Sequence, residues 1–254
     1  MASIDLNSDL GEGFGPWTMG DDAAMLSLVT SANVACGGHA GDAETMYATC
    51  RIAAANGVVV GAHPGYVDRE GFGRRIIPMR PDEIGRMVLT QVGALAAIAR
   101  LAGTEVRYVK PHGALGNLAA ANAEVAKGIV DALQTAFPTL AILAISGTQL
   151  ELVARAAGVD VYSEIFADRA YQPDGQLVPR SQPGAVIHDP EAAAERLIAF
   201  VEHGRMAVMG AEPIPLDAHS ICVHGDTPGA VGMARHVRQE LIGAGLALGP
   251  FLDV

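Results

Sequence analysis

Short, nearly continuous apolar runs alternate along this chain with longer alanine-rich stretches, and the spacing changes each time from strand-like to helical. The runs predict strands at 3–8, 31–36, 58–63, 106–110, 140–145, 159–164 and 219–224. The stretches between them predict helices at 21–29, 42–56, 82–102, 119–136, 147–157, 190–203 and 228–244. Three helix starts carry local signals: Asp42 before Ala43-Glu44, Asp189 before Pro190, and Thr227 before Pro228. Each is a capping side chain followed by a favoured first-turn residue. Strands that are apolar throughout expect cover on both faces, as in a parallel sheet flanked by helices. Seven such units without a linker predict an α/β fold, a single (β/α) barrel domain over residues 1–254. The rhythm breaks between 170 and 218, where Gln172-Pro173-Asp174-Gly175-Gln176 signals a tight turn and Arg180-Ser181-Gln182-Pro183-Gly184 an irregular loop. This reads as an insertion with short strands and a helix, covering the site.

Six of the apolar runs stop in short polar motifs, most of them flanked by glycine. They are Ser8-Asp9-Leu10-Gly11-Glu12, Cys36-Gly37-Gly38-His39-Ala40-Gly41-Asp42, Ala62-His63-Pro64-Gly65, Lys110-Pro111-His112-Gly113, Glu164 to Arg169, and His224-Gly225-Asp226. Parallel strands all point one way, so these endings meet on one face and build one convergent site.

Composition narrows the class. Half of the 254 residues are apolar and 18% are charged, which suits a large buried core. The net charge of −11 and the lack of a basic cluster argue against nucleic acid or an anionic membrane as partner. Three cysteines, Cys36, Cys50 and Cys222, have no metal-ligand spacing, and the first residues contain no secretory apolar region, so a reduced cytoplasm is expected. No segment reads as a membrane span; the apolar stretch 88–102 reads as a helix.

Alternation along the first strand puts Asp5, Asn7 and Asp9 on one face, pointing into the barrel. Carboxylates gathered there need a cation, a proton or donors. The plainer reading is that Asp5 and Asn7 satisfy neighbouring backbone and Asp9 caps a turn. His39 and His63 can ligate a divalent metal together with a carboxylate, or serve as acid–base groups or donors to an anionic substrate. Asp42 doubles as a helix cap. Lys110 is one of two lysines, the other being Lys127 on a helix surface. At the end of an apolar strand it needs an anion, which is either a substrate carboxylate or phosphate, or an ion pair with Glu164 or an early Asp. Arg169 can fork onto a bound acid or onto Asp168. His224 and Asp226 stand before a helix start that favours anions. His188, His203 and His236 read as surface residues. The chain has no GxxxxGK[ST] loop for ATP, no dinucleotide-binding GxGxxG and no GxSxG elbow.

Taken together, these motifs resemble the LamB/YcsF family, understood as the A component of bacterial 5-oxoprolinase. The matching blocks run in order from Asp5-Leu6-Asn7-Ser8-Asp9-Leu10-Gly11-Glu12 through Ala35 to Asp42, Gly61 to Gly65 and Val109 to Leu115. They continue with Ser163 to Gly175, Val178-Pro179-Arg180-Ser181-Gln182-Pro183-Gly184 and Ile221 to Asp226. Ser8, Gly38 and Gly116 depart from the cysteine, phenylalanine and tyrosine frequent in relatives. The resemblance implies a seven-stranded TIM-like barrel of the glycoside hydrolase/deacetylase kind. It further implies ATP-dependent opening of the 5-oxoproline lactam to L-glutamate with two further subunits. ATP is then a co-substrate of the complex, handled by those partners, which would supply an activated, phosphorylated lactam. A divalent metal and a homo-oligomer are left open. Candidate catalytic residues are Asp9, Glu12, His39, His63, Lys110 and Glu164. Candidate substrate-binding residues are Asn7, Asp42, His112, Asp168, Arg169, Arg180, His224 and Asp226. Within this set Lys110, Arg169 and the Thr227 helix start are expected to hold the substrate's carboxylate or phosphate, and Asp9, His39 and His63 to place or deprotonate water. Two other readings stand beside this one: a self-contained metal-dependent deacetylase or amidohydrolase, and a non-catalytic substrate-binding subunit.

Overall fold

Each apolar run becomes a strand whose neighbours are the preceding and following runs. A computed structural model describes residues 3–226 and 229–252. Its barrel strands are β1 (Ser3–Leu10), β2 (Ser31–Ala35), β3 (Val59–His63), β4 (Val106–Val109), β5 (Ala141–Ile145) and β6 (Val161–Phe166). The seventh barrel strand, β9 (Ser220–Cys222), pairs with both β6 and β1 and closes the sheet. All these pairings are parallel, so the fold is the seven-stranded α/β barrel that the sequence predicts.

The helices are α1 (Asp22–Leu26), α2 (Ala43–Asn56), α3 (Pro81–Leu101), α4 (Gly113–Ala121), α5 (Ala123–Ala136), α6 (Gln149–Ala156), α7 (Pro190–His203) and α8 (Ala230–Gly243). The stretch expected as one helix over 119–136 is split at Asn122. That residue takes an extended conformation, and its side chain accepts from the Glu124 and Val125 amides to cap α5. Asp42 and Asp189 cap α2 and α7 as expected. Thr227 and Pro228 lie outside the described residues. The insertion holds α7 and a small antiparallel ribbon of β7 (Arg205–Met206) and β8 (Ile214–Pro215). A last strand, β10 (Ala247–Leu248), which the sequence did not signal, pairs with the outer end of β1.

Helix α3 is long and apolar enough to cross a bilayer by length and composition, which corrects the expectation that no segment would be. Its apolar face, with Ile84, Val88, Val92 and Leu95, is fully buried in the core of the fold.

The barrel interior is unusual in being polar. At its base, Asp5 accepts from Thr30 Oγ1 (2.5 Å), Ser31 Oγ (2.7 Å) and Ser220 Oγ. One layer higher, Asn7 donates to Ser220 Oγ (2.6 Å) and Glu164 Oε1 (2.9 Å) and accepts from Asn33 (2.6 Å). Tyr108 donates to Asn33 Oδ1 at 2.6 Å, and Asn33 reaches Asp9 Oδ1 at 2.8 Å. Residues two apart on β1 thus climb a continuous hydrogen-bonded column toward the open end of the barrel. Its members are buried, and the column supplies the donors and acceptors that burial demands.

Candidate active site

The strand endings meet around a cavity of about 400 Å³ at the C-terminal rim of the barrel. Asp9, His63, Lys110, His112, Glu164 and His224 all contribute to its lining. Lys110 is the hub. Its Nζ lies 2.8 Å from Glu164 Oε1, 3.0 Å from Asp9 Oδ1 and 3.2 Å from Cys222 Sγ, with the Phe166 ring 5.2 Å away. Both anions named by the plainer sequence reading are therefore in place, and the ammonium also faces the cavity.

Electrostatics separates the carboxylates. Burial would raise Asp9, but its contacts with His63 and Lys110 outweigh it and hold Asp9 well below the usual carboxylate range. Burial raises Glu164, opposed by Lys110. Glu12 is pushed up to about 8, first by burial and then by the charge of Asp9. Burial would lower Lys110, but Asp9, Cys222 and Glu164 reverse that and keep the ammonium charged well above its ordinary range.

Behind this floor the histidines interlock. His63 Nδ1 donates to the Lys110 carbonyl at 2.7 Å, and His112 Nε2 donates to the Phe72 carbonyl at 2.8 Å. Their other nitrogens face each other at 3.0 Å. His39 stacks on His112 with ring centroids 3.6 Å apart and places Nε2 3.0 Å from Glu12 Oε1. Burial first, then neighbouring histidines, lower the pKa of both His39 and His112 well below the ordinary imidazole value. Glu12, His39, His63 and His112 offer ligand atoms within 4.8 Å of one another, a grouping among the described residues from which ligands for a metal ion could come.

On the opposite wall, His224 Nδ1 sits 2.9 Å from both oxygens of Asp168, and Nε2 is turned toward Asp9 at 4.0 Å. Burial opposes ionisation of Asp168, but His224 holds it below its ordinary value. Arg169, Arg180 and Arg74 also line the cavity. Arg169 does not fork onto Asp168; its guanidinium donates to the carbonyls of Val178 (2.7 Å) and Ala185 (3.3 Å) and so ties down the insertion. Burial, then Arg180, lowers it to about 10.

Asp42 stands apart from this group. Its carboxylate accepts from the Thr45 amide (2.8 Å), capping α2, and from the Gly15 amide (2.6 Å), and it does not line the cavity. Asp226 pairs with Arg74. His188 and His203 are exposed, whereas His236 is half-buried beside Glu191. Sequence reasoning missed Arg74 and Phe72. Among the described residues Phe72 is the sole non-glycine with positive φ (53°), and that turn aims its carbonyl at His112. The signal available was Gly71-Phe72-Gly73, two glycines bracketing an aromatic in a stretch without periodicity.

The family profile of LamB/YcsF matches residues 4–254. A 5-oxoprolinase A component from Pseudomonas syringae pv. tomato is 50% identical over 251 residues, covering 99% of this chain and 98% of the relative. The crystal structure of a lactam utilization protein from Thermus thermophilus superposes with a TM-score of 0.91 at 41% identity, covering 97% of this chain and 99% of that one. A family 4 carbohydrate esterase from Streptomyces lividans, at 13% identity and a TM-score of 0.51 over 98% of this chain and 92% of its own, shares the barrel alone. On the full-length match and the shared motifs, this chain belongs to the LamB/YcsF family.

Proposed function

We propose that this chain is the ring-opening subunit of an ATP-dependent 5-oxoprolinase. Two further subunits use ATP to phosphorylate the lactam oxygen, and this barrel hydrolyses the product. The observation that carries the reading is the cavity itself: an ionised Asp9 and charged Lys110 at the floor, with Arg74, Arg169 and Arg180 on the wall. An unstrained five-membered lactam resists water, so its carbonyl needs activation, and the chain carries no nucleotide loop of its own. A cationic wall above an acid–base floor suits a small phosphate-bearing ring.

In this mechanism Lys110 and Arg180 hold the substrate's anionic groups and orient the activated carbon over Asp9. Asp9 takes a proton from the attacking water as the new C–O bond forms, and Lys110 donates to the oxygen that gains charge. The C–N bond then breaks. Both hydrogens of that water end on the ring nitrogen, one relayed through Asp9 and one through His224, which Asp168 orients. The acyl phosphate left behind is hydrolysed by a second water to L-glutamate and phosphate. The test is reconstitution: glutamate formation and 5-oxoproline-dependent ATP hydrolysis are measured with the two partners, adding and then omitting this chain. Equal glutamate without the chain refutes the proposal.

The buried Glu12–His39–His63–His112 group favours, as a second reading, a self-contained metal-dependent amidohydrolase. That reading requires hydrolysis by the lone chain without ATP.

A further inference from the structure

We infer that Glu12, His63 and His112 form a binding site for one divalent transition-metal cation of the zinc class, at the back wall of the cavity, with His39 stacked on His112 and held against Glu12 beside it. The argument starts from proton positions. A neutral imidazole carries one N–H, and a carbonyl oxygen can only accept. His63 spends its N–H at Nδ1 on the Lys110 carbonyl (2.7 Å), and His112 spends its own at Nε2 on the Phe72 carbonyl (2.8 Å). Two bare lone pairs, His63 Nε2 and His112 Nδ1, are thereby aimed at each other at 3.0 Å. Lone pairs so placed repel unless a cation lies between them.

The surrounding donors fit that cation. Glu12 Oε1 lies 3.6 Å from His112 Nδ1, and His39 Nε2, 3.0 Å from the same oxygen, holds the carboxylate in place. Four ligands at about 2.0–2.1 Å from a tetrahedral ion stand roughly 3.3 Å apart. Two nitrogens and one carboxylate oxygen, with the fourth position left to water, select zinc, cobalt or nickel over magnesium or calcium, which prefer all-oxygen sites.

The same two hydrogen bonds also supply outer support. Each of the facing histidines is fixed by a backbone carbonyl on its far nitrogen, the arrangement that orients metal-bound imidazoles. One of those carbonyls belongs to Phe72, whose φ is positive at 53°. His63 and His112 also line the cavity, so the ion would sit beside the place where substrate reacts.

The site is read from ligand geometry and does not depend on the proposed reaction. The test uses the untagged full chain, freed of metal by a chelator and titrated with Co(II), followed by displacement with Zn(II). Uptake of one equivalent with the visible absorption of four-coordinate Co(II) is expected. H112Q and E12Q should each weaken binding at least about tenfold, while the exposed control H203Q binds like the wild type. Circular dichroism confirms folding, and E12Q keeps the test open if H112Q fails to fold. Substoichiometric uptake by the wild type, or unchanged affinity in a folded E12Q, overturns the inference. So does a proton shared by His63 and His112, seen as a downfield imidazole N–H by NMR in chain that takes up no metal. Metal uptake by a chain that leaves the reconstituted complex without glutamate would sink the reaction alone. Full turnover by metal-free chain with no uptake would sink this site alone.

Discussion

The ammonium of Lys110, at the end of β4, lies 3.0 Å from Asp9 Oδ1, at the end of β1. The strands that carry them are separated in the barrel by β2 and β3, so the pair spans the cavity floor. Its members depend on each other: each charge is tolerable in the interior because the other is present. Lys110→Met should therefore reduce glutamate formation by the reconstituted complex at least about 100-fold. It should also cost about 3–5 kcal/mol of stability, because Asp9 and Glu164 are left buried without their cation. Turnover assays and urea midpoints check both parts, and near-normal turnover removes Lys110 from the site.

At the base of the column, Asp5 is raised from 3.8 to about 6, chiefly by burial. A carboxyl with a raised folded pKa binds protons more readily folded than unfolded. Its contribution is therefore fully present below the unfolded pKa and lost as pH rises through about 6. Between about pH 4 and about pH 7, wild-type stability relative to Asp5→Asn should fall by roughly 3 kcal/mol at most. Denaturant titrations of both proteins across that range make the measurement. A difference that does not change with pH contradicts the shift.

Arg74 and Arg180 line the wall of the proposed phosphate pocket. Arg180→Gln should raise KM for the phosphorylated lactam about tenfold and leave kcat within a few-fold, since the contact is made equally in ground and transition states. Steady-state kinetics with partner-generated substrate separates the two constants. A fall confined to kcat would place Arg180 on the reacting atoms instead.

Gly61 on β3 backs directly onto the Tyr108 ring, which a Cβ would overlap. Gly61→Ala should destabilise the barrel by about 1–3 kcal/mol through overpacking. It should also loosen the Tyr108–Asn33 contact that supports Asp9. A melting temperature equal to wild type would show that the ring has room to move.

The barrel was legible because its strands are apolar runs that stop abruptly, and Asp9, His63, Lys110 and His224 stand where those runs stop. Asp5 is held by the hydroxyls of Thr30, Ser31 and Ser220 instead of by neighbouring backbone, and no local pattern announces their roles. The split at Asn122 was written in its own capping chemistry, an asparagine two residues before Glu124, but alanines on both sides hid it. Arg74 could not be found from the sequence. Its loop has no period, and its partner Asp226 lies on the far side of the chain. Asp42 shows the opposite hazard, since a carboxylate beside a glycine-rich motif caps its own helix and holds the Gly15 amide, away from the cavity lining.

The column from Asp5 to Asp9 has a consequence for anyone redesigning this scaffold. Oily barrel interiors forgive exchange of one shape for another, whereas here every rung must keep the parity of donors and acceptors with the rungs above and below. Replacements inside the barrel will succeed as matched sets and fail one by one. The cavity floor is thereby tuned from residues buried beneath it.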